Sequence, residues 1–146
     1  MTDSPSAVPA ERDTDVPPER SGDQIVLTLP AGPEFVRVAR LTSAGLATRA
    51  GMGYDEVEDL RIAVGEACSL LIGSGSRPGT LTLTFTLHAD AIGVEIAGSL
   101  EGDPPADDED TDLSDQILAA VVDEHRVDLG ADRVAVTKRH GGPEPA

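Results

Sequence analysis

The chain has 146 residues, 39% of them hydrophobic and 26% charged, a size and balance that fit one globular domain with one core and exclude a second full domain. Acids outnumber bases 27 to 11, for a formal net charge of −16, which repels phosphate backbones and anionic lipid and so argues against general nucleic-acid or membrane binding. Residues 1–23 hold six acids and two bases, and residues 101–115 hold eight acids and no base, so −12 of the −16 sits in two segments. Cys68 is alone, which excludes an intrachain disulfide. No apolar run approaches the ~20 residues of a bilayer span, and the polar, acidic, proline-bearing start lacks the apolar stretch of a secretory signal. The expected compartment is the cytoplasm.

Residues 1–23, with Pro5, Pro9, Pro17 and Pro18 among Ser, Thr, Asp and Glu, bury too little apolar area to offset their ordering entropy and are expected to form a disordered tail. From Gln24, the alternation of Ile25, Leu27 and Leu29 with Val26 and Thr28 predicts a strand closed by Pro30. Pro33 and Glu34 open a predicted helix whose Phe35, Val38, Leu41 and Leu46 share one broad apolar face, ended by Gly51 and Gly53. The acidic turn Asp55, Glu56, Glu58, Asp59 starts a second helix, and Val57, Leu60, Val64, Ala67 and Leu71 carry it to Ser74.

Thr80 to Leu87 alternates strictly, with Leu81, Leu83, Phe85 and Leu87 on one face and threonines on the other; Ile92, Val94 and Ile96 repeat the pattern. The pair reads as a hairpin with one wet face. Gly102 to Asp112 is acidic and proline-bearing and reads as a solvated loop. Leu113, Ile117, Leu118, Val121 and Val122 predict a third helix. Val127–Leu129 and Val134–Thr137 then form a last hairpin around Gly130, and residues 141–146 fray. This order predicts an α+β fold: a two-layer sandwich of about three helices on one face of a mostly antiparallel sheet, spanning residues 24–140.

The segment from Pro30 to Ser69 resembles the opening half of the anti-sigma-factor serine kinases, the RsbW-like regulators of the histidine-kinase-like ATPase superfamily. It does so in the proline after strand one, the Pro33-Glu34-Phe35-Val36 start of helix one, the Arg40-Leu41-Thr42 segment, the Tyr54-to-Leu60 entry to helix two, and Ala63-Val64-Gly65-Glu66-Ala67-Cys68-Ser69. A weaker match continues through the paired strands, Val122 to Glu124, and Arg133 to Arg139. The resemblance implies a Bergerat-like ATPase fold and a homodimer that holds a sigma factor away from RNA polymerase. It also implies Mg-ATP as cofactor and a small antagonist protein of the STAS type as the partner phosphorylated on serine.

Carried over residue by residue, the family's ATP site is met at few positions. The family's helix-two glutamate, its general base, is Glu66, but the asparagine one turn on, which coordinates magnesium, is Leu70. The Asp-x-Gly whose carboxylate accepts the adenine amino group is replaced by Ala97, Gly98 and Ser99, which leaves Gly98 as a remnant. The glycine pair that opens helix three onto the phosphates is replaced by a junction bearing Asp110, Asp112 and Asp115, carboxylates that repel a triphosphate but suit a helix N-terminus. These losses point to a non-catalytic relative without cofactor, in which Glu66 is a carboxylate on a polar helix face; the alternative is a working kinase with Glu66 as base.

Arg37 and Arg40 lie on helix one, where the family's sigma-binding surface is, and equally suit solvated charges. Cys68 reads as a buried small hydrophobe. His88, His125 and His140 show no spacing or carboxylate company for a metal. The acidic loop 101–115 reads as a solvated insertion at the family's lid position, with mimicry of nucleic acid toward a basic partner as the alternative.

Overall fold

The computed structural model describes residues 22–74, 77–106 and 109–141; the expected tail up to residue 21 and the end beyond residue 141 lie outside them. Strand β1 (Asp23–Pro30) leads into α1 (Pro33–Arg49) and α2 (Tyr54–Ile72). The hairpin β2 (Gly79–Leu87) and β3 (Ala91–Leu100) follows, then α3 (Glu109–Val121), β4 (Glu124–Asp128), a 3-10 turn at Leu129–Ala131, and β5 (Arg133–Arg139). Every strand pairing is antiparallel, in the order β1-β2-β3-β5-β4. The α+β sandwich expected from the pattern is the fold observed.

The core lies between the sheet and α2. Leu81, Leu83 and Phe85 of β2, Ile92, Val94 and Ile96 of β3, and Val134 and Val136 of β5 are buried on one sheet face. The threonines of β2 share the opposite, wetter face with Val26 and Thr28. Leu60, Ala63, Val64, Ala67, Cys68 and Leu71 of α2 press onto the apolar side. Cys68 is a packed hydrophobe, and burial pushes its thiol up to about 12.

Several boundaries differ from the sequence reading. In α1 the buried positions are Val36, Ala39, Ser43 and Ala47, whereas Leu41 is 65% and Val38 39% exposed. Small residues dominate because α1 approaches α2 closely; Phe35 and Leu46 pack partly buried against the core, and Val38 and Leu41 are left on the outer side. Helix α2 stops at Ile72, two residues early, because Gly73 takes a φ of +74°, which suits glycine and ends the helical ladder.

Residues 110–115, placed in or beside a solvated loop, are helical: α3 starts at Glu109. Its acidic opening is favourable against the helix dipole, and that outweighs the solvated-loop composition. Leu113 is 56% exposed, and Ser114 takes the inward position. Strand β3 runs on to Leu100, so Ala97–Ser99 are inside it rather than after it. Strand β4 is Glu124–Asp128, and Leu129 belongs to the turn, in which Asp132 is left-handed at φ 54°.

Candidate functional site

A cleft of about 520 Å³ opens between the C-terminal end of α2, the 101–106 strap and the start of α3. Leu70 and Ile72 form its apolar wall, Pro105 and Ala106 its strap side, and Asp110 and Ser114 its α3 side. Leu70, at the position of the expected metal-ligating asparagine, is 7% exposed and packed with the core. It presents methyl groups and no donor to the cleft.

Arg77 closes the inner end. It is 7% exposed, yet every nitrogen of its guanidinium is engaged. Nη1 donates to Leu71 O (3.0 Å) and Asp132 Oδ1 (2.9 Å), Nη2 to Asp132 Oδ2 (3.2 Å) and Gly102 O (3.2 Å), and Nε to Glu101 O (3.1 Å). One side chain therefore satisfies carbonyls at the end of α2 and in the strap, and its charge is neutralised by the two-point Asp132 pair. The charged side chains left facing the cleft are Asp103 and Asp110. Neither Arg77 nor Asp132 stood out in the sequence; the available signal was an aspartate at a glycine-like turn, where Asp tolerates left-handed backbone.

Glu66 stands at the border of this cleft. Its Oε2 accepts a 2.5 Å hydrogen bond from the Ser114 hydroxyl, which ties the middle of α2 to the first turns of α3. Gly98 does not line the cleft. Its amide donates to Asp132 O (2.8 Å), and a Cβ there would sit 2.8 Å from Leu100 Cδ1, so a side chain at this position would have to displace Leu100. Of the three acids expected at the α3 junction, Asp110 faces the cleft, while Asp112 and Asp115 line a separate groove toward Val127 and Leu129.

Two of the histidines, read from the sequence as having no spacing or carboxylate company for a metal, each meet one carboxylate in the fold. His125 Nε2 lies 2.9 Å from Asp115 Oδ1, and His140 Nδ1 lies 3.0 Å from Glu56 Oε1. Pairing across elements brought them together, which local spacing cannot reveal. Glu56 also accepts from the amides of Gly141 (2.7 Å) and Gly53 (2.9 Å), and these bonds, the Gly141 one foremost, hold its carboxyl below the usual range. Among the described residues no cluster of three or more potential ligands could hold a metal ion, and no helix is long and apolar enough to cross a membrane.

A shallower groove lies on the outer side of the helices, lined by Arg40, Arg61, Ile62, Gly65, Glu66 and Ser69. Gly65 makes room for it: a Cβ there would come 2.5 Å from Arg40 Nε, so the guanidinium lies directly over the α2 backbone. Arg61 is paired with Glu58 at 2.8 Å. Arg37 and Arg40 are exposed, and among the described residues neither guanidinium has an ion pair.

Residues 29–137 match the histidine kinase-like ATPase domain family. The chain belongs to that family. Among its relatives it is 36% identical to the serine-protein kinase RsbW of Bacillus subtilis over 113 residues, which cover 75% of this chain and 67% of that protein. It is 38% identical to the serine-protein kinase RsbW of Listeria monocytogenes over 78 residues, 51% of this chain and 50% of that one. The Bacillus cereus protein of the same name is 36% identical over 77 residues, 51% and 48% of the two chains. The chain is thus RsbW-like within the histidine kinase-like ATPase family. Of the positions that the resemblance assigned to the nucleotide site, Leu70 and Asp110 line the 520 Å³ cleft and Gly98 does not; the leucine offers a magnesium ion no ligand atom, two aspartates face the opening, and the charge of Arg77 is neutralised by Asp132, a lining that suits a triphosphate poorly.

Proposed function

We propose that the chain is an anti-sigma factor: a cytoplasmic homodimer that sequesters an alternative sigma factor of the stress or sporulation type by protein–protein binding, without phosphoryl transfer. The observation that carries this reading is the outer face of α1 and α2, where Arg37 and Arg40, without an ion pair among the described residues, stand beside the exposed Leu41 and Ile62 on a chain whose net charge is −16. Cations held on an apolar helical face suit a partner surface of mixed acidic and apolar character. The chemistry of the cleft supports the absence of catalysis, since Leu70 offers no ligand at the position the resemblance gives to a magnesium-binding asparagine, and Asp103 and Asp110 set negative charge against a triphosphate. Release then follows from exchange with a STAS-type antagonist rather than from its phosphorylation.

The test is capture of sigma factors on the tagged full chain. Sigma recovered on wild type and lost on the Arg37→Glu/Arg40→Glu variant is the expected result; no sigma recovered from cells that express them overturns the reading. A second reading, an ATP-dependent serine kinase acting on the antagonist with Glu66 as base, is favoured by the names of the relatives and by the position of Glu66 beside the cleft. Calorimetry with Mg-ATP separates the two: binding heat and a raised melting temperature at millimolar nucleotide support the kinase, and their absence supports the binding protein.

A further inference from the structure

Charge is divided unevenly over the fold. Helix α1 carries Arg37, Arg40 and Arg49 against a single acid, Glu34, so it is a net cation on a chain of −16. The Arg40 guanidinium rests on the α2 backbone at Gly65, in a groove shared with the exposed Ile62. Arg61, the other cation of that groove, is already paired with Glu58. Arg37 and Arg40 are exposed and have no ion pair among the described residues. Three residues apart on a helix, they stand about 5–6 Å from each other at Cβ.

The acids that match this pair lie in the segment before β1. Glu11, Asp13, Asp15 and Glu19 stand there against Arg12, the one base among residues 11–19. Spaced by two, Glu11, Asp13 and Asp15 share one side of an extended chain at a repeat of ~6.6 Å, with Arg12 turned to the other side. That repeat suits two guanidinium groups one helical turn apart.

The point of attachment delivers these acids to the arginines. Asp23 pairs with Leu87, so β1 starts beside the β2–β3 turn. In that turn Asp90 O accepts from His140 N, and the His140 ring lies against Gly51, where a Cβ would sit 3.9 Å from Nε2. The chain therefore enters β1 at the end of the domain where α1 finishes. From Gly51 back to Arg40 and Arg37 is roughly 17–21 Å at 1.5 Å per residue. Asp15 and Glu11 precede Gly22 by seven and eleven residues, an extended reach of about 23–36 Å. The surplus covers the ~10 Å width of the helix itself.

We propose that residues 11–19 of the chain's own N-terminal segment dock on the outer face of α1 and α2, with their carboxylates on Arg37 and Arg40, and compete there with the sigma factor. This rests on reading that face as the sigma site and adds its regulation. The occupant is the chain's own segment because a short tether holds it at an effective concentration near the millimolar range. A few exposed pairs then populate the docked state, and a sigma surface of higher affinity displaces it. Such pairs are screened by salt.

Docking is tested by zero-length carbodiimide cross-linking of the full chain. Lys138 is its one lysine, and its 3.1 Å pair with Asp59 supplies a control link. Arg40→Lys adds an ammonium group on the proposed face. The expected product joins position 40 to Glu11, Asp13, Asp15 or Glu19, runs as a single chain on a denaturing gel, and is lost at about 0.5 M salt while the control link persists. Links from position 40 to Glu66 alone, links to the segment of a second chain, or no link beyond the control overturn the proposal.

Competition is tested by affinity for the sigma factor that wild type captures. The variant Glu11→Gln/Asp13→Asn/Asp15→Asn/Glu19→Gln is expected to bind it roughly three- to tenfold more tightly at low salt, because the docked fraction no longer reduces the competent one. The difference closes at high salt. A control of equal charge change, Glu101→Gln/Asp103→Asn/Asp107→Asn/Asp108→Asn, is expected to match wild type. Equal affinities for wild type and the neutralised segment, or an equal gain in both variants, overturn the competition and leave sequestration standing. Failure of wild type and the neutralised segment alike to capture any sigma factor overturns sequestration and the competition with it, and the cross-link then decides docking by itself.

Discussion

Asp132→Asn isolates the contribution of the buried ion pair at the inner end of the cleft. The substitution keeps the shape and tolerates the φ of 54°, but it removes the charge that neutralises Arg77. Removing one partner of a buried pair typically costs ~3–5 kcal/mol, because the other charge stays desolvated. Here Asp132 is 16% and Arg77 7% exposed, and carbonyls of Leu71, Glu101 and Gly102 still accept from the guanidinium. The lower part of that range applies, about 3 kcal/mol. For a domain of this size the loss corresponds to a fall in melting temperature of roughly 10–15 °C. Urea titration of wild type and variant at pH 7, with equal m-values, measures it. Hydrogen exchange should show the strap at 101–106 opening first, since Arg77 is what fastens it to α2. A cost below ~1 kcal/mol would refute the reasoning and show that the three carbonyls alone hold the arginine.

Burial raises the Cys68 thiol from 9.0 to about 12, so its contribution to stability is intact below pH 9 and is lost as pH rises toward 12. Relative to Cys68→Ala, wild type should lose about 1 kcal/mol between pH 9 and 10, and the native thiol should resist aromatic disulfide reagents until the chain unfolds. The Glu56 carboxyl is lowered, so its contribution is present above its unfolded value near 4.5 and disappears as pH falls through the folded one. The stability gap between wild type and Glu56→Gln, measured by urea at pH 7 and pH 3, should therefore close at the lower pH. Ser114→Ala removes the bond to Glu66 and should cost about 1.5–3 kcal/mol, the range for a hydrogen bond to a charged group; an unchanged urea midpoint would show that the bond does not hold α3 to α2.

The period-two runs of β1, β2 and β3 and the helical spacing of α2 were legible because each element puts one continuous apolar face on the core. The failures cluster where two helices meet or where charge and position compete. In α1 the buried stripe is Val36, Ala39, Ser43 and Ala47, with Phe35 and Leu46 partly buried against the core, so hydrophobicity alone misplaced Val38 and Leu41; the close approach to α2 selects for small size instead. At α3 the acidic composition that resembles a loop is equally the composition of a helix start, and only the packing of Ser114 and Leu118 decides between them.

For the site, the sequence by itself determined the kind of domain and that position 70 offers a metal no ligand, because leucine has no ligand atom in any conformation. Tertiary structure decided which polar groups meet around the cleft. Arg77 meets Asp132 across 55 residues, Ser114 meets Glu66 across 48, and His140 meets Glu56 across 84. Each pair joins groups from different elements, and its strength comes from partial removal from water. Only the folded packing creates that condition.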